Sequence, residues 1–187
     1  MSQTRVLDLI NKGFSQKRFL EIYQKPALLF STIEQENEDS TVETDIRNIT
    51  DTDILSCMEQ PEAPAAKFTN SRIFFLEKSC RSPQTPEIIL GRDKTSDIIV
   101  SLPSVSKRHA YFVENWGDWF IVDNKSTNGT NVDNTRIKPF ERFSLRDNSK
   151  ITFGFEAIAR FFTPVGLWGV LCLYNGLNFI HTPILED

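Results

Sequence analysis

Gly91-Arg92, Ser106-Lys107-Arg108-His109 and Ser126-Thr127-Asn128-Gly129-Thr130 are three short polar islands set between strand-like runs of this 187-residue chain. Together they offer a guanidinium, an ammonium, hydroxyls and a side-chain amide from separate loops. Converging loops of that kind make a small cationic, donor-rich concavity suited to a phosphate group. Gly91 permits an unusual turn at a strand exit, and an arginine placed there has the reach to cross the end of a domain. Ser106 can donate to a phosphate oxygen, while Lys107 or Arg108 supplies charge. His109, one of two histidines, stands at the start of Ala110-Tyr111-Phe112-Val113 and reads as a loop anchor rather than a catalyst. Asn128-Gly129 marks a turn needing positive φ. With Thr127 beside it, the Asn128 amide can hydrogen-bond the main chain of an extended peptide, which a phosphate pocket alone cannot hold in register. Singly, each island has a bland reading as a surface arginine, a polar loop or a hairpin turn. Their order and placement between strands carry the weight.

The elements that must position these loops read as β. Arg72–Lys78, Glu87–Gly91, Asp97–Val100, His109–Glu114, Trp119–Asp123, Arg142–Leu145, Lys150–Phe153 and Glu156–Phe162 are short runs rich in Ile, Val, Phe and Tyr. Turn formers such as Ser82-Pro83, Asn115-Trp116-Gly117-Asp118, Asp133-Asn134 and Asp147-Asn148 separate them. Many short strands at this spacing predict a sandwich or barrel, whose end loops are where the polar islands fall. Residues 1–30 read as an N-terminal helical segment. Val6, Leu7, Ile10 and Phe14 keep helical spacing, Phe19 to Tyr23 continue beyond a Ser15 cap, and Pro26 breaks the pattern before Ala27-Leu28-Leu29-Phe30. Residues 31–67 turn acidic, Thr-rich and nearly free of aromatics, as a linker would.

Residues 161–180 carry no charge, which is long enough to raise the question of a membrane span. Pro164, Gly166, Gly169, Asn175, Gly176 and Asn178 dilute that run. A helix capped by Thr163, with Pro164 in its first turn and a stop at Asn175-Gly176, explains it better, so no membrane insertion is expected.

Net charge is −4, which argues against a general nucleic-acid binder. The charge is uneven: seven Lys/Arg against twelve Asp/Glu over residues 1–67, fourteen against eleven over 68–165, and none against two thereafter. An acidic flank thus precedes a mildly basic middle. Cys57, Cys80 and Cys172 form neither a disulfide framework nor a metal cage, so the expectation is a cytoplasmic protein with no cofactor or metal. No P-loop, nucleophile elbow, His-Glu-x-x-His or kinase signature is present. The chain therefore reads as a binding protein rather than an enzyme.

The order GR, S-x-x-H, N-G resembles the signature of the forkhead-associated (FHA) domain. The surrounding text strengthens it, from Ile88-Ile89-Leu90-Gly91-Arg92 through Trp119-Phe120-Ile121-Val122-Asp123 to Lys150-Ile151-Thr152-Phe153-Gly154. The resemblance spans roughly residues 70–163 and no signature element is missing. It implies a mainly β fold, an antiparallel β-sandwich of about eleven strands with short flanking helices. The division it suggests is an FHA domain over 68–163 and a C-terminal helix and tail over 164–187.

By motif position the resemblance implies that Arg92 and Ser106 hold a phosphothreonine phosphate with support from Lys107. It has Asn128, with Thr127 alongside, fix the peptide backbone. His109 braces the recognition loop, and Gly91 and Gly129 shape their turns. Ser104 and Asn131 are candidates by position for reading a residue beyond the phosphothreonine. The partners implied are Thr-phosphorylated proteins, with a Ser/Thr kinase upstream, as for small stand-alone bacterial FHA adaptors. Thr50 and Thr52, in Thr50-Asp51-Thr52-Asp53-Ile54-Leu55 of the acidic linker, are candidate phosphorylation sites. Phosphorylated, they would give the chain a ligand for its own site, in cis or by phospho-dependent self-association. The alternative is a phosphate-independent scaffold of the same fold within a protein assembly.

Overall fold

The computed structural model describes residues 4–30, 71–80 and 85–174. The candidate phosphorylation sites Thr50 and Thr52, the linker over 31–67 and the tail beyond Tyr174 lie outside these residues.

Twelve strands and three helices follow one another in the described residues. They are β1 (Thr4–Arg5), α1 (Val6–Ile10), α2 (Gln16–Ile22), β2 (Ala27–Phe30), β3 (Arg72–Phe75), β4 (Ile88–Gly91), β5 (Ile98–Ile99), β6 (Ala110–Asn115), β7 (Asp118–Asp123), β8 (Thr130–Val132), β9 (Thr135–Arg136), β10 (Arg142–Ser144), β11 (Lys150–Phe153), β12 (Ala157–Phe162) and α3 (Pro164–Tyr174). One sheet runs β1-β3-β2-β12-β11-β8-β9 and the other β10-β7-β6-β4-β5. All pairings between strands are antiparallel except β4 with β5. The expected mainly β sandwich with short helices toward both ends is the observed fold.

Alternation along a strand fixes its faces. In β6, Ala110 and Phe112 are buried while Tyr111 and Val113 are half-buried, so the former pair points inward. Leu90, Phe112, Trp119, Ile121, Phe153, Phe161, Leu28 and Phe30 make one core between the sheets. Burying each such large side chain stabilises the fold by roughly 1.5–3 kcal/mol. A second core lies on the other side of the seven-stranded sheet. There Ala27, Leu29, Ile73 and Phe162 meet Val6, Leu9 and Phe19 from the N-terminal helical segment and Leu167 and Leu171 from α3. The helices thus form a third layer against the sandwich.

Ala27–Phe30, the run after the Pro26 break, is strand and not helix. It is inserted between β3 and β12, in register with both, Phe30 facing Arg72 and Ala159. All four of its residues are buried because each face meets a core, which is the environment that erases alternation.

The helix caps follow local chemistry. The Ser15 hydroxyl accepts from Arg18 N at 3.3 Å at the start of α2, and the Thr163 hydroxyl accepts from Gly166 N at 3.1 Å at the start of α3. The Asp147 carboxylate also receives Thr163 N at 2.6 Å. It lies against Gly166, where a Cβ would overlap it, and favours the positive end of the helix. Among the described residues no helix is long and apolar enough to cross a membrane.

Candidate functional site

The three polar islands meet at one end of the sandwich. Gly91 closes β4 where the next loop passes directly over it: a Cβ there would overlap the Lys107 carbonyl and come within 2.9 Å of Arg108 Cα. That close approach is what the glycine permits. Two backbone bonds stitch the loops together beside it, Arg92 N to Ser106 O and Asp93 N to Lys107 O, both 3.0 Å. Arg92 is thereby fixed next to Ser106 by main chain alone, leaving its exposed guanidinium without a hydrogen-bond or ion-pair partner among the described residues. Lys107 is likewise exposed, and its ammonium is unpaired among them.

His109 is fully buried and spans the base of both loops. Its Nδ1 accepts from Ser106 N at 3.0 Å, which leaves Nε2 to carry the proton and donate to Gly129 O at 3.2 Å. The ring is therefore the neutral tautomer. Burial holds its pKa below the usual 6.5, against the opposing pull of the Gly129 carbonyl and Asp123. With both nitrogens committed and no exposed edge, the ring ties the S-x-x-H loop to the N-G turn.

The two loops then run past one another as a ladder of three rungs. The Asn124 amide donates to Arg108 O at 3.2 Å. Thr127 N donates to Ser106 Oγ at 3.0 Å, and that hydroxyl reaches Thr127 Oγ1 at 3.3 Å. The Asn128 amide donates to Ser104 O at 2.8 Å, which leaves its Oδ1 as an acceptor. Arg92, Ser106, Lys107, Thr127 and Asn128 are thus brought together around the middle of the ladder. The Ser106–Thr127 rung thus offers two hydroxyls beside the residues that carry the two exposed cations, with the amide of Asn128 one rung away.

Three residues that the islands did not reveal hold this arrangement. Asp123, 1% exposed, accepts from Ser126 N at 3.0 Å, Ser126 Oγ at 2.6 Å and Thr130 Oγ1 at 2.6 Å, folding the Ser126–Thr130 loop around one carboxylate. An Asp three residues before a Ser at a strand exit is a recognisable turn signal. Arg136 lies against Gly129, whose φ is +84°, and a Cβ would collide with its guanidinium. Glu156 accepts from Ser104 Oγ at 2.7 Å. The Ser104–Glu156 contact spans 52 residues, so nothing local marks it, whereas the β8–β9 hairpin folds Arg136 back onto Gly129.

Ser104, a candidate for reading a neighbouring peptide residue, is 2% exposed. Its hydroxyl is committed to Glu156, so it acts from beneath the surface. Asn131 is half-buried on β8, opposite Thr152 and Arg136.

Residues 88–154 match the family model of the FHA domain. No curated protein matches the chain by sequence. Among solved structures, the chain is similar to the FHA domain of the CT664 protein from Chlamydia trachomatis, at 18% identity over 74% of this chain and 96% of that one, TM-score 0.45. It is also similar to the N-terminal FHA domain of Rad53p from S. cerevisiae in complex with a phosphothreonine peptide, at 14% identity over 74% and 93%, TM-score 0.44. A third similarity is to Mycobacterium tuberculosis EmbR in complex with a low-affinity phosphopeptide, at 19% identity over 60% of this chain and 29% of that one, TM-score 0.40.

Proposed function

We propose that this chain, whose residues 88–154 match the family model of the FHA domain, is a phosphothreonine-peptide-binding adaptor acting downstream of Ser/Thr kinases, a binding module and not an enzyme. The observation that carries the reading is the ladder. It fixes the Ser106 hydroxyl on a loop whose backbone is bonded to Arg92 N and which carries the exposed Lys107 next in sequence, with the Asn128 amide one rung along. A phosphate dianion fits the first group through charge-assisted hydrogen bonds. An extended peptide main chain fits the second.

The test is a fluorescence titration with one threonine peptide in phosphorylated and unmodified forms. Hydrogen bonds to charged groups contribute roughly 1.5–3 kcal/mol each, so Arg92→Ala weakens binding of the phosphorylated form by about 10- to 150-fold with folding intact. Equal affinity for both peptide forms, or wild-type affinity in the variant, would sink the reading.

We further infer that phosphorylation within the acidic linker regulates this site. Support comes from the course of the chain. β2 runs toward the loop-bearing end and stops at Phe30, and β3 starts opposite it at Arg72. The segment carrying Thr50 and Thr52 therefore leaves and re-enters the sandwich on the side of Arg92 and Ser106. Protein phosphorylated at Thr50 or Thr52 should bind an added phosphothreonine peptide more weakly, or self-associate, and Thr50→Ala/Thr52→Ala protein treated with the same kinase should do neither. Unchanged affinity and unchanged oligomeric state on stoichiometric phosphorylation would remove the idea.

A further inference from the structure

A groove of about 250 Å³ opens on the outer face of the five-stranded sheet, lined by Thr85, Glu87, Arg108, Tyr111 and Asn124 over Ile89 and Ala110. It begins where the ladder ends. The Arg108–Asn124 rung that forms one lip of the groove is continuous with the Ser106–Thr127 rung at the phosphate position. The floor is set by the β4–β6 pair Ile89 and Tyr111, directly opposite one another in register.

The lining decides what fits. Ile89 is 4% exposed, so the half-buried ring of Tyr111 is the one side chain of the floor that offers apolar surface, beside the polar groups of the lips. Arg108 brings a guanidinium and Glu87 a carboxylate. The Glu87 carboxyl is held below the usual carboxylate range by its own backbone N–H, by the Thr85 side chain and by the nearby charges of Lys78 and Arg108, so it stands ionised as an acceptor. Asn124 spends its amide on Arg108 O and keeps its Oδ1 as a second acceptor. A ligand side chain of either charge would meet a like charge across the groove. A peptide unit offers one donor and one acceptor together and matches both.

We propose that this groove is a second subsite, which seats the main chain of one flank of the phosphothreonine peptide with little regard to its side chains. The inference rests on the phosphothreonine reading of Arg92, Ser106 and Asn128 and extends it. The peptide would cross the ladder, with its phosphate at the middle rung. One flank passes Asn128, and the other lies in the groove beyond Arg108. The middle rung would then supply the requirement for phosphate, and the groove would add affinity that tolerates many sequences.

The experiment uses the full chain and a phosphothreonine peptide selected from an oriented library. The peptide is titrated whole, trimmed on its N-terminal side, trimmed on its C-terminal side, with either flank replaced by alanines, and with either flank N-methylated. Two main-chain hydrogen bonds at roughly 1 kcal/mol each amount to about 30-fold. Trimming one flank should weaken binding by about that factor, N-methylating the same flank removes the donor alone and should weaken it by about 5-fold, and alanine replacement there should leave affinity unchanged. Arg108→Ala and Glu87→Ala together should narrow the difference between the whole and the trimmed peptide. The inference is overturned if neither trimming matters, if alanine replacement reproduces the loss, or if the double variant keeps the full difference between long and short peptides. Failure of every phosphopeptide to bind would instead overturn the phosphothreonine reading, and this inference with it. Arg92→Ala separates the two cases, because it should weaken long and short peptides by the same factor.

Discussion

Ser106 and Thr127, twenty-one residues apart, bind each other through the same atom. Thr127 N donates to Ser106 Oγ at 3.0 Å, and that hydroxyl in turn reaches Thr127 Oγ1 at 3.3 Å. The serine side chain is thus the middle rung between two loops, and on the proposed reading its hydroxyl proton would turn from Thr127 to an incoming phosphate. Ser106→Ala removes both. We expect phosphopeptide affinity to fall about 10- to 150-fold, from the loss of roughly 1.5–3 kcal/mol of charge-assisted bonding. The Thr127 side chain is exposed, so water can replace the lost rung, and the cost to folding should stay near 1 kcal/mol or below. Parallel titration and thermal melts would check the split. A large drop in melting temperature with affinity preserved would make Ser106 a structural residue only.

Gly91→Ala should lower both stability and affinity. The new methyl would overlap the Lys107 carbonyl and crowd Arg108 Cα, and these are backbone atoms with no rotamer to escape into. Relief requires displacing the loop that carries Ser106, at a cost of about 1–3 kcal/mol. The displacement also moves Arg92, which is tied to Ser106 O. A lower denaturation midpoint together with weakened peptide binding is the expected result. Wild-type values of both would show that the loop slides freely.

The buried His109 makes stability depend on pH, with a definite sign. Its pKa in the folded protein lies below 6.5, burial being the largest cause. The unfolded chain therefore binds the proton first as pH falls. The histidine's contribution is complete above about pH 6.5 and is lost as pH drops from there toward the lower folded-state value. Protonation would also remove the Nδ1 acceptor of Ser106 N. Melting temperature measured from pH 8 to pH 5 should decline below the mid-sixes more steeply than in His109→Gln, which has no titrating ring. Identical pH profiles would assign the decline to other groups.

A chain beginning at residue 68 should not fold as the full chain does. It lacks β2, whose Leu28 and Phe30 are fully buried between the sheets and which separates β3 from β12. Losing Phe30 alone is comparable to a Phe→Ala substitution in a core, about 3–5 kcal/mol, a large share of a typical domain's stability. Residues 68–187 should show a broad or absent thermal transition by circular dichroism. A sharp melt equal to that of the full chain would mean β3 and β12 close the gap without β2.

That contrast shows what was and was not legible in the sequence. β4, β6, β7, β11 and β12 stood out because they lie in short runs rich in Ile, Val, Phe and Tyr bounded by turn formers. β2 was hidden because Ala27-Leu28-Leu29-Phe30 serves two cores at once and has no polar face. It also lies before the long acidic linker, so proximity in sequence gave no hint of its neighbours. β8 and β9 were missed for the opposite reason: Thr130–Val132 and Thr135–Arg136 are short and mostly polar, held by their pairing and not by their pattern. The three islands at the loop end were readable because each carries its chemistry locally. Arg136 against Gly129 was not, because the short polar β8–β9 hairpin that brings them together was missed, and Glu156 beneath Ser104 was not, since only the closed sandwich brings it there.

The sharing of one sheet between two cores has a consequence for how the protein comes apart. Leu28 and Leu29 are adjacent on β2 yet face opposite layers, so neither layer can open without loosening a strand the other depends on. The chain carries an optical reporter on each side: Trp119, 8% exposed, in the core between the sheets, and Trp168 in the helical layer, 5.3 Å from the ring of Phe19. Trp116, at 98% exposure on the β6–β7 hairpin tip, contributes a constant solvent-like background. Emission from variants retaining Trp119 or Trp168 alone should shift at the same denaturant concentration, as one cooperative transition. The helical layer is in that sense a third wall of the sandwich, and removing it would unfold the loops that form the site.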